Sequence, residues 1–332
     1  MTLGRRAFTI AGLAIAAGTV LTGCASTART NATRERIPPI GKFVTVDGAK
    51  VHYVQEGSGP DLVLLHGAGG NLREFTLQHV DLLKDRYRVT VFDRPGLGYT
   101  DRHPDIDASV LSSEGESPQQ QAQMLRDAAS QLGIKSPIVA GHSFGGIVAM
   151  AWAVMGLDEA SEVNASGIVS MAGVLMPWPG GLGAYYTINS SALGATVTVP
   201  LISALATKAQ INAAVDGVFA PQTPPAGYRA YAGSELAVRP DIFRANVRQV
   251  NGSRPHVVTL SARYPELTLP IEIVHGTADT TVPITVHADE IVKIVPSARI
   301  TRLDGIGHMP HHADIDATIA AIDAAAMRAG LR

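Results

Sequence analysis

The chain has almost no means of covalent cross-linking: its 332 residues include one cysteine, Cys24. No intramolecular disulfide can form, so stability must come from packing alone. A surplus of charge is missing as well. The formal net charge is −2, which provides no basic field for nucleic acid. No block of like charge marks a polyanionic partner, and no internal repeat is visible. What remains is apolar: 46% of residues are hydrophobic and 17% charged, a balance that suits a well-buried globular core. The length allows one large α/β domain with insertions, or two smaller domains.

The N-terminus reads as an address. Residues 1–24 run MTLGRRAFTIAGLAIAAGTVLTGC. Arg5 and Arg6 precede an uncharged apolar stretch that is short for a membrane span, the layout of an export signal. The paired arginines resemble a twin-arginine signal. Leu21-Thr22-Gly23-Cys24 resembles a bacterial lipobox, which implies cleavage after residue 23 and lipidation of Cys24. Residues 24–39 are then the lipidated cysteine and a polar segment ending in Pro38-Pro39. That segment lacks hydrophobic periodicity and is expected to be a flexible tether. The result would be a membrane-anchored lipoprotein on the extracytoplasmic side.

From residue 40 to 332 short apolar runs alternate with helical patterns. Lys42–Val46 and Lys50–Val54 flank Asp47-Gly48, a hairpin signal. Asp61–His66, Tyr87–Asp93, Ser136–His142, Gly167–Met171, Pro270–His275 and Ala298–Leu303 are strand candidates. Helices are expected from Ser117 to about Leu132, at Gly145–Met155, at His287–Val295 and at Ile315–Met327. Such alternation predicts an α/β, doubly wound, mostly parallel sheet covered on both faces. One stretch, about 174–265, is too long for a loop and too broken by Pro and Gly for a strand–helix unit. Residues 163–207 contain no charged residue, yet Pro177, Pro179 and Pro200 leave no unbroken apolar run of the ~20 residues a membrane span needs. An inserted, mainly helical cap is the expectation.

Gly141-His142-Ser143-Phe144-Gly145 lies between a predicted strand and a predicted helix. It fits G-x-S-x-G, in which a serine on a strained strand-to-helix turn is exposed at the strand's carboxyl end. A serine hydroxyl needs an adjacent base. Chain order predicts an orienting acid and then a histidine downstream. Asp279 follows the Pro270–His275 strand, and His308 follows the last strand; both fall where catalytic groups collect in open α/β sheets. Asp279 is assigned to orient His308, and His308 to accept the Ser143 proton. Asp304 is a rival acid, read as a turn residue at the strand end. His308, His311 and His312 form an HxxHH cluster, but no carboxylate or cysteine motif accompanies it. No metal or organic cofactor is expected.

An oxyanion hole needs two backbone N–H donors. Phe144 should supply one and the His66-Gly67-Ala68-Gly69-Gly70 loop the other, with Ala68 first and Gly69 second. His66 is read as a brace for that loop.

Four separated motifs now stand in order: HGAGG (66–70), DRPGLGYTDR (93–102), GHSFGG (141–146), and the GTADTTVP/GIGHMP pair (276–283 and 305–310). Over nearly all of residues 42–332 the chain resembles the α/β-hydrolase superfamily. Family members with an aspartate nucleophile act on haloalkanes or epoxides. Ser143 therefore implies an ester substrate, or the carbon–carbon bond hydrolases and cofactor-free haloperoxidases of the same fold. A binding lipoprotein that kept the fold is a further alternative. The uncharged cap suggests a small or apolar substrate, with Met176 and Trp178 as candidate lining residues. Oligomeric state is not legible.

Overall fold

The computed structural model describes residues 22–332. The rest of the expected export signal, including Arg5 and Arg6, lies outside the described residues. Residues 22–36 form a helix, α1, where a structureless tether was the expectation. The reason lies in its contacts. Ser26 and Thr33, two helical turns apart, are buried, while Arg29 and Arg34 reach Ala204 and Asp241 of the inserted region. A polar docking face has no hydrophobic period to read.

Among the described residues eight strands follow the predicted alternation: β1 (Lys42–Val46), β2 (Ala49–Gly57), β3 (Asp61–Leu65), β4 (Arg88–Phe92), β5 (Ile138–His142), β6 (Gly167–Met171), β7 (Ile271–Gly276) and β8 (Ala298–Leu303). They form one sheet in the order β1-β2-β4-β3-β5-β6-β7-β8. The β1–β2 and β2–β4 pairs are antiparallel and the rest parallel. Asp47 and Gly48 turn the first hairpin with φ of 47° and 84°, as a type I′ turn requires.

The helices between strands are α2 (Arg73–Thr76), α3 (His79–Leu83), α4 (Pro118–Gln131) and α5 (Phe144–Asp158). Ser117 caps α4 through a reciprocal pair with Gln120, which satisfies two otherwise orphaned N–H groups. Between β6 and β7 lie α6 (Ala184–Ser190), a π turn (Gly194–Thr198), α7 (Val199–Leu205), α8 (Lys208–Phe219), α9 (Tyr228–Tyr231), a 3₁₀ turn (Ser234–Val238) and α10 (Pro240–Ser261). This is the inserted helical cap. Helix α11 (Ala288–Ile294) joins β7 to β8, and α12 (Pro310–Ala313) and α13 (Ile315–Arg328) follow β8.

Strand side chains alternate between two cores. Val63, Leu65 and Val139 face α4 and α5, with Leu125, Ile147 and Trp152. Leu62, Leu64 and Val169 face the other layer, with Phe75, Leu83, Ile322 and Ala325. Helix α5 carries no charge before Asp158, and its residues 144–154 are all buried, as a helix enclosed on every side must be. Among the described residues no single helix is long and apolar enough to cross a membrane.

Candidate active site

Ser143 sits at the junction of β5 and α5 with φ 51° and ψ −116°, a strained conformation for a residue with a side chain. A Cβ on Gly145 would come 2.2 Å from the Leu65 carbonyl oxygen, and one on Gly141 2.1 Å from that of Gly145. Glycines at both positions let β3, β5 and α5 close on the turn and hold it.

The hydroxyl so presented meets a base. Ser143 Oγ lies 2.9 Å from His308 Nε2, and His308 Nδ1 lies 2.8 Å from Asp279 Oδ2. Nδ1–H therefore donates to the carboxylate, which leaves Nε2 as the acceptor for the serine proton. Asp279 is itself fixed: its Oδ1 accepts from the N–H groups of Thr281 and Val282 at 2.8 and 2.9 Å, and His275 Nε2 lies 3.3 Å from Oδ2. Burial opposes its ionisation, yet hydrogen bonds from His275 and His308 hold its carboxyl well below the usual range. Burial also lowers the pKa of His308, with Asp279 opposing the shift. The imidazole is thus neutral and ready as a base. Asp304, the rival acid, instead accepts from Thr277 Oγ1 at 3.0 Å on an exposed loop.

A profile of the alpha/beta hydrolase family matches residues 62–321. The chain belongs to the alpha/beta hydrolase family. An uncharacterised protein of Mycobacterium tuberculosis is 28% identical over 287 residues, covering 85% of this chain and 79% of that one. Another relative is the pimeloyl-[acyl-carrier protein] methyl ester esterase of Vibrio atlanticus, 28% identical over 269 residues, covering 79% of this chain and 92% of that one. Among solved structures, a bacterial membrane phospholipase A superposes with a TM-score of 0.64 at 20% identity, over 99% of both chains. At that identity the likeness shows the fold alone. In this alpha/beta hydrolase, the Ser143–His308–Asp279 geometry is that of a hydrolase triad.

A cavity of about 330 Å³ opens over Ser143, between the sheet and the cap. Ala68 and Gly69 border it. Phe144 is the first residue of α5, so its N–H has no acceptor within the helix. The Gly69 N–H is already engaged, donating to Asn246 Oδ1 at 2.7 Å. The cap contributes a mainly apolar wall that includes Tyr186, Ile211, Val215, Phe219, Tyr228 and Phe243. Met176 and Trp178 do not line this cavity, which corrects their reading as lining residues. They pack on the main core instead, where the Met176 N–H donates to His287 Nδ1 at 3.1 Å. They precede the first cap helix and so stay with the sheet.

His66 braces the loop, as its sequence suggested. Its Nε2 accepts from the Arg94 N–H at 3.0 Å and its Nδ1 donates to the Gly67 carbonyl at 2.9 Å. The Arg94 side chain adds bonds to the carbonyls of His66 and Gly67 and lies over the Phe144 ring. Burial, reinforced by Arg94, lowers His66 to about 4.

One residue absent from the sequence reading, Glu74, stands behind the nucleophile with His142 and His311. Glu74 Oε1 lies 2.8 Å from His142 Nδ1 and 3.1 Å from His311 Nε2, all three side chains being buried. Burial opposes both charges, but the contact holds the Glu74 carboxyl low and raises His142. His142 Nε2 in turn donates to the His308 carbonyl at 2.9 Å. Among the described residues these three are the set that offers one ligand atom each within 4.8 Å of one another, and His308 and His312 are not part of it. That run is split: His308 serves the triad, His311 joins Glu74, and His312 packs against Phe219 and Tyr228. His311 and His312 lie on the separate short helix α12.

Proposed function

We propose that the protein hydrolyses a carboxylic ester with a small or apolar acyl or alcohol group. The observation that carries this reading is the 2.9 Å contact of Ser143 with His308, made inside an apolar-walled cavity. Ser143 Oγ attacks the carbonyl carbon as His308 Nε2 takes its proton. The N–H groups of Phe144 and Ala68 stabilise the oxyanion. His308 then protonates the leaving alcohol, and a water activated by the same histidine releases the acid. The relative that is a methyl ester esterase supports an ester as the substrate class.

The anchoring reading is also proposed. Cys24 is exposed on the first turn of α1, and Arg29 of the same helix donates to Ala204 O of α7. Leu201 and Leu205 of α7 are exposed, so acyl chains on Cys24 would emerge beside an apolar cap surface. Mass spectrometry of the N-terminal peptide tests this: an unmodified Cys24 on protein from its native membrane overturns the anchor.

The catalytic test uses p-nitrophenyl esters from acetate to long acyl chains, with Ser143→Ala alongside. Turnover is expected in the native protein and lost in the variant, at an unchanged melting curve. Retained turnover in Ser143→Ala, or none in the native protein on any ester, overturns the assignment.

A further inference from the structure

Helix α10 has two working faces. Phe243 and Asn246 look into the catalytic cavity, whereas Arg244 and Arg248 look into a second, separate cavity of about 200 Å³. Five arginines line the second one: Arg34, Arg102, Arg239, Arg244 and Arg248. They come from four different segments, α1, the loop after β4, the cap turn before α10, and α10 itself. Against them the wall offers two carboxylates, Asp101 and Asp241.

The carboxylates nearby pair with only some of the cations. Asp241 is shared by Arg239 at 2.7 Å and Arg34 at 3.6 Å, and Glu116 pairs with Arg102. Arg244 and Arg248 have no carboxylate within 4 Å among the described residues; they touch only the carbonyls of Ala195, Ser109 and Val110. Arg239 and Arg248 are 4% and 2% exposed, and the Nε of each is buried without a hydrogen-bond partner. Burial lowers the pKa of Arg244, with Asp241 opposing the shift and Arg102 adding to it; burial also lowers Arg248, with Arg102 and Arg244 adding to the shift and Asp107 and Glu116 opposing it. Holding several guanidinium groups together in a partly dry cavity is costly. A bound dianion removes that cost, and guanidinium forks match tetrahedral oxyanions in bidentate fashion.

We propose that this arginine-lined cavity binds a phosphate group, either free phosphate or the phosphate of a lipid headgroup, at a site separate from the triad. The site is independent of the esterase reading, since α10 divides the two cavities.

The test is calorimetric titration of the full chain with inorganic phosphate, beside flotation of the Cys24→Ser chain, which cannot be acylated, with phosphatidylcholine vesicles with and without phosphatidic acid. Arg244→Gln and the half-exposed Arg34→Gln are the variants. Neither touches the catalytic cavity, and both are expected to keep their melting curves and their turnover of a soluble ester. Saturable phosphate binding, weakened at least tenfold in Arg244→Gln, supports the site with free phosphate as ligand. Flotation with phosphatidic acid alone, lost in both variants, supports it with a lipid headgroup as ligand. Neither signal, or signals equal in the native protein and both variants, overturns it. An inactive esterase that still binds phosphate would sink the catalytic reading and leave this site standing.

Discussion

Asn246 of the cap accepts a 2.7 Å hydrogen bond from the Gly69 N–H, so α10 holds the loop that borders the nucleophile. The cap therefore helps set the position of the proposed oxyanion donors as well as shaping the cavity. Asn246→Ala is expected to lower kcat about ten- to a hundredfold, the scale of an ångström-sized misplacement at a reacting centre, with a smaller change in KM. Its effect on stability should be about 1 kcal/mol, one hydrogen bond. Unchanged kcat on a soluble ester would refute this coupling.

That relationship also marks where the sequence stops being readable. Ser143, Asp279 and His308 were legible because each follows a strand and sits beside glycines, so a local pattern fixes its place. Glu74 and Asn246 carry no such signal. Each matters through a contact with residues far away in the chain, 177 positions in the case of Gly69 and Asn246. The α1 helix was missed for a related reason, because its buried positions are Ser26 and Thr33 rather than an apolar stripe. The strands could be found because β3, β5 and β6 are buried along their whole length and read as near-continuous apolar runs.

Asp279→Asn preserves shape but removes the charge facing His308. The amide would present its NH₂ to Nδ1 and favour the tautomer with the proton on Nε2, where it cannot accept from Ser143. A fall in kcat on the order of 10⁴ is expected. The loss should appear in kcat with little change in KM, in single-turnover and steady-state measurements alike. A loss below tenfold would mean that another acid orients His308.

The pH dependence of turnover follows from the burial of His308. Catalysis requires the neutral imidazole, and its pKa lies below the ordinary 6.5. Activity should therefore be full at neutral pH and fall only as the pH drops through that lowered value. The acid limb of kcat/KM on a soluble ester should have its midpoint below 6.5. A midpoint at or above 7 would show that the histidine is not held as described.

The cavity wall should set chain-length preference. Val215 of α8 borders the cavity over Ser143 and is only partly buried, so a larger side chain there need not disrupt the core. Val215→Trp is expected to cut kcat/KM for long acyl esters at least about tenfold, the scale on which apolar pockets discriminate. Acetate should be turned over nearly as before. Equal losses on short and long esters would mean that the acyl chain lies elsewhere.

Stability should fall on mild acidification, for a reason separate from catalysis. His79 and His312 are lowered by burial to about 4 and about 3, so both are neutral in the folded protein at neutral pH. An unfolded chain binds protons on these residues below about 6.5, and the folded chain resists doing so. Stability is thus complete above 6.5 and declines as the pH falls toward 4, by up to about 1.4 kcal/mol per pH unit for each histidine. His142 does not add to this loss, because its contact with Glu74 raises its pKa. The two nitrogens of His312 are buried without hydrogen-bond partners, and its ring lies against Phe219 and Tyr228. Replacing it with an aromatic of similar shape removes two unsatisfied polar atoms and one suppressed titration. His312→Phe should therefore match or exceed the native melting temperature at pH 7 and lose less of it between pH 6.5 and 4.5. Parallel melting-temperature curves for the two proteins across that range would show that His312 is not the group resisting protonation.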